Sequence, residues 1–167
     1  MLGPTGVGGL YGKYERLNAL QPYQTGGEMI ETVSLLQSTF RDAPAKFEAG
    51  TPNIAGVIGF SAALDYLAAL DKKAVYDYEH VLFNYVVNKL NEIDGITIYS
   101  NLDHNIGTIC FNYKDEHPFD IATLLDGFGV AVRSGHHCTQ PLMAHLGING
   151  SVRASFCFYN THQDIDI

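Results

Sequence analysis

The chain has no run of basic residues. Ten lysines and arginines stand against 18 aspartates and glutamates over 167 residues, for a formal net charge of −8, and the cations are scattered along the whole length. Neither a phosphate backbone nor an anionic bilayer surface meets an electrostatic footprint, so nucleic acid and membrane are not expected partners. Cysteine is scarce too. Cys110, Cys138 and Cys157 form an odd, widely spaced set without a C-x-x-C pair, which argues against a disulfide framework or a zinc ribbon and fits a reducing, cytoplasmic setting. No apolar stretch reaches the roughly 20 residues that a membrane span needs. The longest, residues 54–70, carries Asp65 and is diluted by Gly56, Gly59 and Ser61; it is expected to be a helix buried in protein. The N-terminus lacks a cationic segment leading into an apolar one, so no secretory signal is read there. Gly3-Pro4-Thr5-Gly6-Val7-Gly8 lacks the Gly-Lys-Ser/Thr ending of a P-loop.

What is present is a hydrophobic fraction of 46%, enough to build the core of one ordinary domain. Leu10-Tyr11-Gly12 predicts a short strand after a glycine turn, and residues 21–52, rich in Gly, Pro, Thr and Gln, predict a long loop. Ile54, Val57, Ile58, Ser61, Ala62, Leu64 and Leu67 recur at helical spacing. A second helix is expected over residues 76–93 on the stripe Leu82, Val86, Leu90 and Ile93. Two strands follow, one around Ile96 and Ile98, the other through Ile109 and Phe111. Pro118 opens a helix over residues 119–126, and Val130-Ala131-Val132 predicts a strand. Pro141 opens a short helix closed by Gly147, residues 152–158 read as a strand, and Thr161 with Asp164 is a capping-box signature. A helix beginning as the chain stops is expected to be truncated. The order of elements predicts a small α/β domain from about residue 76, with the earlier residues part of something larger.

Cys138 has the most informative neighbourhood. It follows a predicted strand end in Arg133-Ser134-Gly135-His136-His137-Cys138, and cationic or hydrogen-bonding neighbours favour the thiolate, the nucleophilic form of the side chain. The same residues could be ordinary loop positions, or with Cys157 or His162 a metal site, although adjacent ligands are geometrically awkward. Arg153, among small and apolar strand residues, needs an anionic partner: a ligand carboxylate in two-point contact, or an internal acidic residue. Thr51 stands in Phe47-Glu48-Ala49-Gly50-Thr51-Pro52-Asn53, a turn that could present a phosphate to a helix N-terminus or simply start a helix.

Four segments, L-G-P-T-G-V-G-G-L-Y at Leu2, F-E-A-G-T-P-N at Phe47, R-S-G-H-H-C at Arg133 and R-A-S-F-C-F-Y-N-T at Arg153, resemble in order and spacing the group II cysteine desulfurases and related selenocysteine lyases of aminotransferase class V. The resemblance runs from residue 1 to 167, and R-x-G-H-H-C is its specific element. It implies an α/β chain, the C-terminal part of a fold type I pyridoxal-phosphate-dependent transferase: residues 1–75 would end the large cofactor-binding domain and its connecting helix, and residues 76–167 would be a small α+β domain carrying the cysteine loop. It implies that Cys138 takes sulfur from L-cysteine as a persulfide, that Arg153 holds the substrate carboxylate, and that Arg133, His136 and His137 shape the loop. Thr51 would reach the pyridoxal 5'-phosphate of a partner subunit in a homodimer. A sulfur-acceptor protein, serving iron-sulfur cluster assembly or related sulfur trafficking, is the implied partner. The departure is at the start. In this family the lysine that carries the cofactor lies just ahead of G-P-T-G, as in H-K-M-L-G-P-T-G, and no lysine precedes Gly3 here. The chain alone is therefore expected not to desulfurate cysteine. The competing readings are a non-catalytic fragment or interaction domain, and a class V aminotransferase or lyase for another amino acid.

Overall fold

The computed structural model describes residues 2–167; Met1, the first residue of the expected N-terminal part, lies outside the described residues. The chain divides into two compact units, one ending at Leu70 and the other comprising Asp71–Ile167.

In the N-terminal unit Leu10-Tyr11-Gly12 is not a strand, since no second segment pairs with it; the regular element there is a helix the sequence reading missed, α1 (Tyr14–Ala19). The segment Asp42 to Lys46 is tied to α1 by polar contacts: Tyr14 Oη donates to Asp42, Asn18 Oδ1 accepts from the Ala43 amide at 2.7 Å, and Lys46 Nζ donates to the Asn18 carbonyl at 2.6 Å. The expected long loop contains an antiparallel hairpin, β1 (Ile30–Val33) and β2 (Ser38–Phe40), followed by a 3-10 turn at Ala45–Phe47. Strands of four and three residues are too short to show periodicity. Their register is set by a cross-strand pair, Thr32 and Thr39, whose hydroxyls lie 2.6 Å apart.

Helix α2 (Ile54–Ala69) starts where the sequence predicted, capped by Asn53 Oδ1 accepting from the Gly56 amide at 3.0 Å. Gly56 leaves room for this cap, because a Cβ would lie 2.4 Å from Asn53 Nδ2 and push the capping amide aside. The helix is expected to be buried in a larger protein, and within this chain most of its apolar surface is uncovered. Only Gly56 is buried, and Ile54, Val57, Ile58 and Leu64 are exposed, because α2 is apolar around much of its circumference and its own unit covers little of it.

The second unit begins with α3 (Lys72–Asn91), four residues earlier than expected because Asp71 caps it, accepting from the amides of Lys73 and Ala74. The cap is worth about 1 kcal/mol, whereas each of the buried residues Leu82, Phe83, Val86 and Val87 contributes about 1.5–3 kcal/mol. Packing therefore dominates the helix's stability. That face rests on a four-stranded, fully antiparallel sheet in the order β3 (Ile96–Ile98), β4 (Thr108–Tyr113), β6 (Ser151–Ser155), β5 (Arg133–Gly135). The core gathers Phe83, Val86 and Val87 from α3 with Ile109, Phe111 and Val152 from the sheet. Helices α4 (Pro118–Gly127), α5 (Gln140–Leu146) and α6 (His162–Asp166) complete the unit. Pro118 and Gly147 occupy the predicted helix ends, and the capping box of Thr161 and Asp164 is present.

Two strand expectations shift. Val130-Ala131-Val132 is unpaired, because the Val130 amide still bonds back to the Leu125 carbonyl at the end of α4, and the ladder begins only at Arg133. The last strand ends at Ser155 instead of residue 158: Phe156 N bonds Gly107 O, and Cys157 enters a turn in which Asn160 Oδ1 accepts from its amide. Among the described residues no single helix is long and apolar enough to cross a membrane.

Candidate functional site

Strand alternation sorts β4 and β6 into two faces. Ile109, Phe111, Val152 and Ala154 go to the core, so Cys110, Asn112, Ser151 and Arg153 occupy the opposite face. Across the ladders Cys110 stands opposite Arg153, and Arg153 stands opposite Arg133. Two like charges thus face each other across neighbouring strands, an arrangement that weakens a sheet unless an anion lies between them. Among the described residues neither arginine has a carboxylate within salt-bridge distance; the ion pairs are Lys73 with Asp77 and Lys89 with Asp166.

The loop that follows β5 bends at Gly135, whose φ of +114° is open to glycine, and then places His137 and Cys138 in the left-handed region, at φ 54° and 64°. Two successive non-glycine residues there each cost on the order of 1–2 kcal/mol, so other contacts must hold them. Thr139 closes the turn, its amide and hydroxyl both donating to the His136 carbonyl, at 2.9 and 2.8 Å. His137 Nε2 lies 3.0 Å from both the carbonyl O and Oγ of Ser151. Cys138 ends exposed, its Sγ accepting from Arg133 Nη2 at 3.4 Å. Arg133, Ser134, Gly135, His136, His137 and Cys138 line an open cleft of about 500 Å³ together with Gln140 and Pro141. A second cavity of about 400 Å³, lined largely by apolar residues including Val86, Leu90, Phe111 and Ile165, has neither a cysteine nor a basic side chain among the described residues that line it.

The electrostatics follow from this packing. Burial holds the His137 imidazole below its ordinary pKa, and the charges of Arg153, Arg133 and His136 push the same way against the opposing hydrogen bond to Ser151. A neutral ring results at neutral pH. Among the described residues three buried side-chain atoms lack a hydrogen-bond partner: Asn112 Oδ1, His137 Nδ1 and Arg153 Nε. All three belong to the face carrying Ser151 and Arg153 or to the histidine hydrogen-bonded to it, which marks that face as one built to meet a polar group. Among the described residues no group of three or more His, Cys, Asp or Glu is arranged to hold a metal ion.

The predicted residues Arg133, His136, His137, Cys138 and Arg153 therefore converge on one sheet edge. Thr51 belongs to the other unit, where Gly50, at φ +79° and bonded through its amide to the Gly27 carbonyl, turns the chain toward the Asn53 cap. The Thr51 side chain is exposed and makes no hydrogen bond among the described residues. Sequence reading missed Ser151, whose signal was available as a hydroxyl two positions from Arg153 and hence on the same strand face.

The Aminotransferase class-V family model matches residues 1–167. The chain is 48% identical over 166 residues to a probable cysteine desulfurase of Halalkalibacterium halodurans, covering 99% of this chain and 41% of that protein. It is 50% identical over 167 residues to a probable cysteine desulfurase of Staphylococcus epidermidis, covering 99% of this chain and 40% of that one. It thus spans about two fifths of the length of the curated relatives it matches. The crystal structure of the cysteine desulfurase CsdA (S-sulfonic acid) of Escherichia coli superposes with a TM-score of 0.90 at 43% identity, over 98% of this chain and 41% of that one. Fold and sequence agree with the resemblance carried by R-S-G-H-H-C: the chain belongs to the aminotransferase class-V family.

Proposed function

We propose that this chain is the sulfur-accepting part of a pyridoxal-phosphate-dependent cysteine desulfurase, which converts L-cysteine to L-alanine and leaves the sulfur as a persulfide on Cys138. The observation that carries this reading is the exposed Cys138 thiol held beside the Arg133 guanidinium at the edge of a sheet face where Arg153 Nε has no partner. Arg153 offers a charge-assisted donor to the substrate carboxylate, whose negative charge also relieves the opposition of the two arginines. With the substrate so oriented, the Cys138 thiolate attacks the substrate sulfur. A sulfur–sulfur bond forms as the carbon–sulfur bond breaks, and the electron pair stays with the carbon, which takes a proton to become the methyl group of alanine. Arg133 steadies the attacking sulfur, and His136 and His137 shape its loop.

When bound, pyridoxal phosphate supplies the electron withdrawal that makes the carbon–sulfur bond cleavable. The residues present fit an edge of that cofactor. Thr51, with a free hydroxyl ahead of a 16-residue helix, suits a phosphate oxygen, in the homodimer the phosphate of the partner subunit. In the family's pattern the cofactor lysine stands just ahead of G-P-T-G, where this chain has none, and within the second unit none of Lys72, Lys73, Lys89 and Lys114 lines the Cys138 cleft. The chain by itself is therefore expected to give no turnover with L-cysteine, the cofactor lysine coming from another segment. A sulfur-acceptor protein in iron-sulfur cluster assembly or related cytoplasmic sulfur trafficking completes the reading, with selenocysteine as the alternative substrate.

The test is peptide-resolved mass spectrometry of a protein that joins this chain to a lysine-bearing cofactor domain, after brief exposure to L-cysteine. Added sulfur should map to the peptide containing Cys138. Cys138→Ala should retain cofactor absorbance and lose persulfide, whereas Arg153→Ala should weaken both substrate binding and turnover. Sulfur on Cys110 or Cys157, or full activity in Cys138→Ala, overturns the assignment.

A further inference from the structure

Ser151 is the one buried polar residue among the described residues, fully shielded from solvent at the first position of β6. A buried hydroxyl is costly unless it is hydrogen-bonded, and the single partner of this one is His137. The Ser151 carbonyl, also 3.0 Å from His137 Nε2, can only accept. Nε2 therefore carries the proton and shares it between the carbonyl and the hydroxyl, both contributed by the same residue. One strand residue thus holds the imidazole from its main chain and its side chain together. Ser151 pairs with Gly135 in the β5–β6 ladder, so it sits directly beneath the bend from which the loop departs.

What the imidazole holds in turn is the left-handed pair of His137 and Cys138. Such a pair relaxes toward ordinary backbone conformations unless surrounding contacts hold it. The second member carries the sulfur that reaches Arg133 Nη2 at 3.4 Å. The charged and titratable groups around this lever are Arg133 on β5, Arg153 on β6 and His136 in the loop; none of them hydrogen-bonds Ser151 or His137, so among the described residues Ser151 is what holds the imidazole, while Thr139 closes the turn on the His136 carbonyl.

We infer that Ser151 is a positioning residue for the Cys138 thiol, acting through His137. Its hydroxyl and carbonyl grip the imidazole, and that grip maintains the strained loop conformation in which Sγ lies against the Arg133 guanidinium. The inference deepens the desulfurase reading but concerns the thiol itself, so it is tested without turnover.

The experiment measures carboxamidomethylation of the 167-residue chain by iodoacetamide, resolved by peptide, with Cys110 and Cys157 as internal references. Cys138 is already exposed, so loosening its loop adds little access and removes the guanidinium contact. Ser151→Ala should slow modification of Cys138 roughly 3- to 10-fold, the change in population that follows from losing one net hydrogen bond, with Cys110 and Cys157 unchanged. Ser151→Thr, which keeps the hydroxyl, should restore the parent rate. His137→Ala should slow Cys138 as well, and adding Ser151→Ala to it should change nothing further, since the two act in series. If Ser151→Ala does not fold, Ser151→Val against Ser151→Thr makes the same comparison at constant shape. An unchanged Cys138 rate, additive effects in the double variant, or a common acceleration at all three cysteines overturns the proposal. A failure of persulfide to form in the joined protein would leave these alkylation results standing.

Discussion

Arg153→Met should make the free chain more stable while abolishing its response to carboxylates. The side chain stands opposite Arg133 in the ladder, and its buried Nε has no partner. Repulsion between the two guanidinium groups is screened, because Arg133 is exposed, and is worth no more than about 0.2–1 kcal/mol. The orphaned donor costs about 1–3 kcal/mol. Methionine keeps an unbranched apolar stem of similar reach and removes both costs. A net gain of about 1–2 kcal/mol is expected, which for a unit of about 100 residues raises the unfolding midpoint by about 4–8 °C per kcal/mol. The sequence contains no tryptophan, so far-UV circular dichroism during thermal and urea unfolding is the suitable probe. In a second arm, L-cysteine or acetate should raise the midpoint of the parent chain through linkage to the native state, and should leave that of Arg153→Met unmoved. A variant destabilised by more than about 1 kcal/mol would show that Arg153 is a structural group with its needs met, and would refute the reasoning.

The lowered pKa of His137 carries a defined sign. Its unfolded-state pKa is near 6.5, so as pH falls from about 6.5 toward the folded-state value the unfolded chain binds the extra proton first and stability is lost. The same contribution is fully present above that window. Comparing midpoint against pH for the chain and for His137→Gln should show this slope only in the parent; identical slopes would refute it. Asp164 and Asp166, held below the ordinary carboxylate range by hydrogen bonds to Thr161 and to Tyr85 respectively, act in a separate window below about pH 4. Burial and a hydrogen bond to Glu79 raise the pKa of Cys157, which keeps it protonated and poorly nucleophilic, and Cys110 is a strand residue opposite Arg153. Alanine at either position should cost about 1–3 kcal/mol in urea unfolding and leave persulfide formation in place; loss of persulfide in either variant would argue against Cys138 as sole acceptor.

The parts of the fold legible in the sequence were those with a period or a punctuation mark. The repeat of apolar residues in α2, the stripe of Leu82 and Val86, Pro118, Gly147 and the box of Thr161 and Asp164 all act within a few residues of where they are read. The hairpin of β1 and β2 and the helix α1 escaped because three to six residues are too few for periodicity to accumulate. Strand β5 was misplaced by three residues because its existence depends on a partner: Val130 has the better strand composition, but the Leu125 carbonyl claims its amide. At the site, the residues of R-S-G-H-H-C could be listed in advance, yet the opposition of Arg133 and Arg153 could not. That pairing comes from the register of β5 on β6, which is a long-range property. The strand face of Ser151 could be read from its spacing to Arg153, but its contact with His137 could not, since that partner comes from a different strand's loop.

Strand β5 has one more consequence. It lies at the end of the sheet order and is three residues long, so one of its sides offers unpaired backbone groups to any other extended chain. Natural sheets protect such borders with brevity, charge and a kink, and here Arg133 and Gly135 supply the last two. The guanidinium that faces the thiol therefore also discourages the sheet from growing onto a neighbour. An Arg133 variant chosen for its chemistry would strip that protection too, so its kinetics should be followed at several protein concentrations before any change is attributed to Cys138.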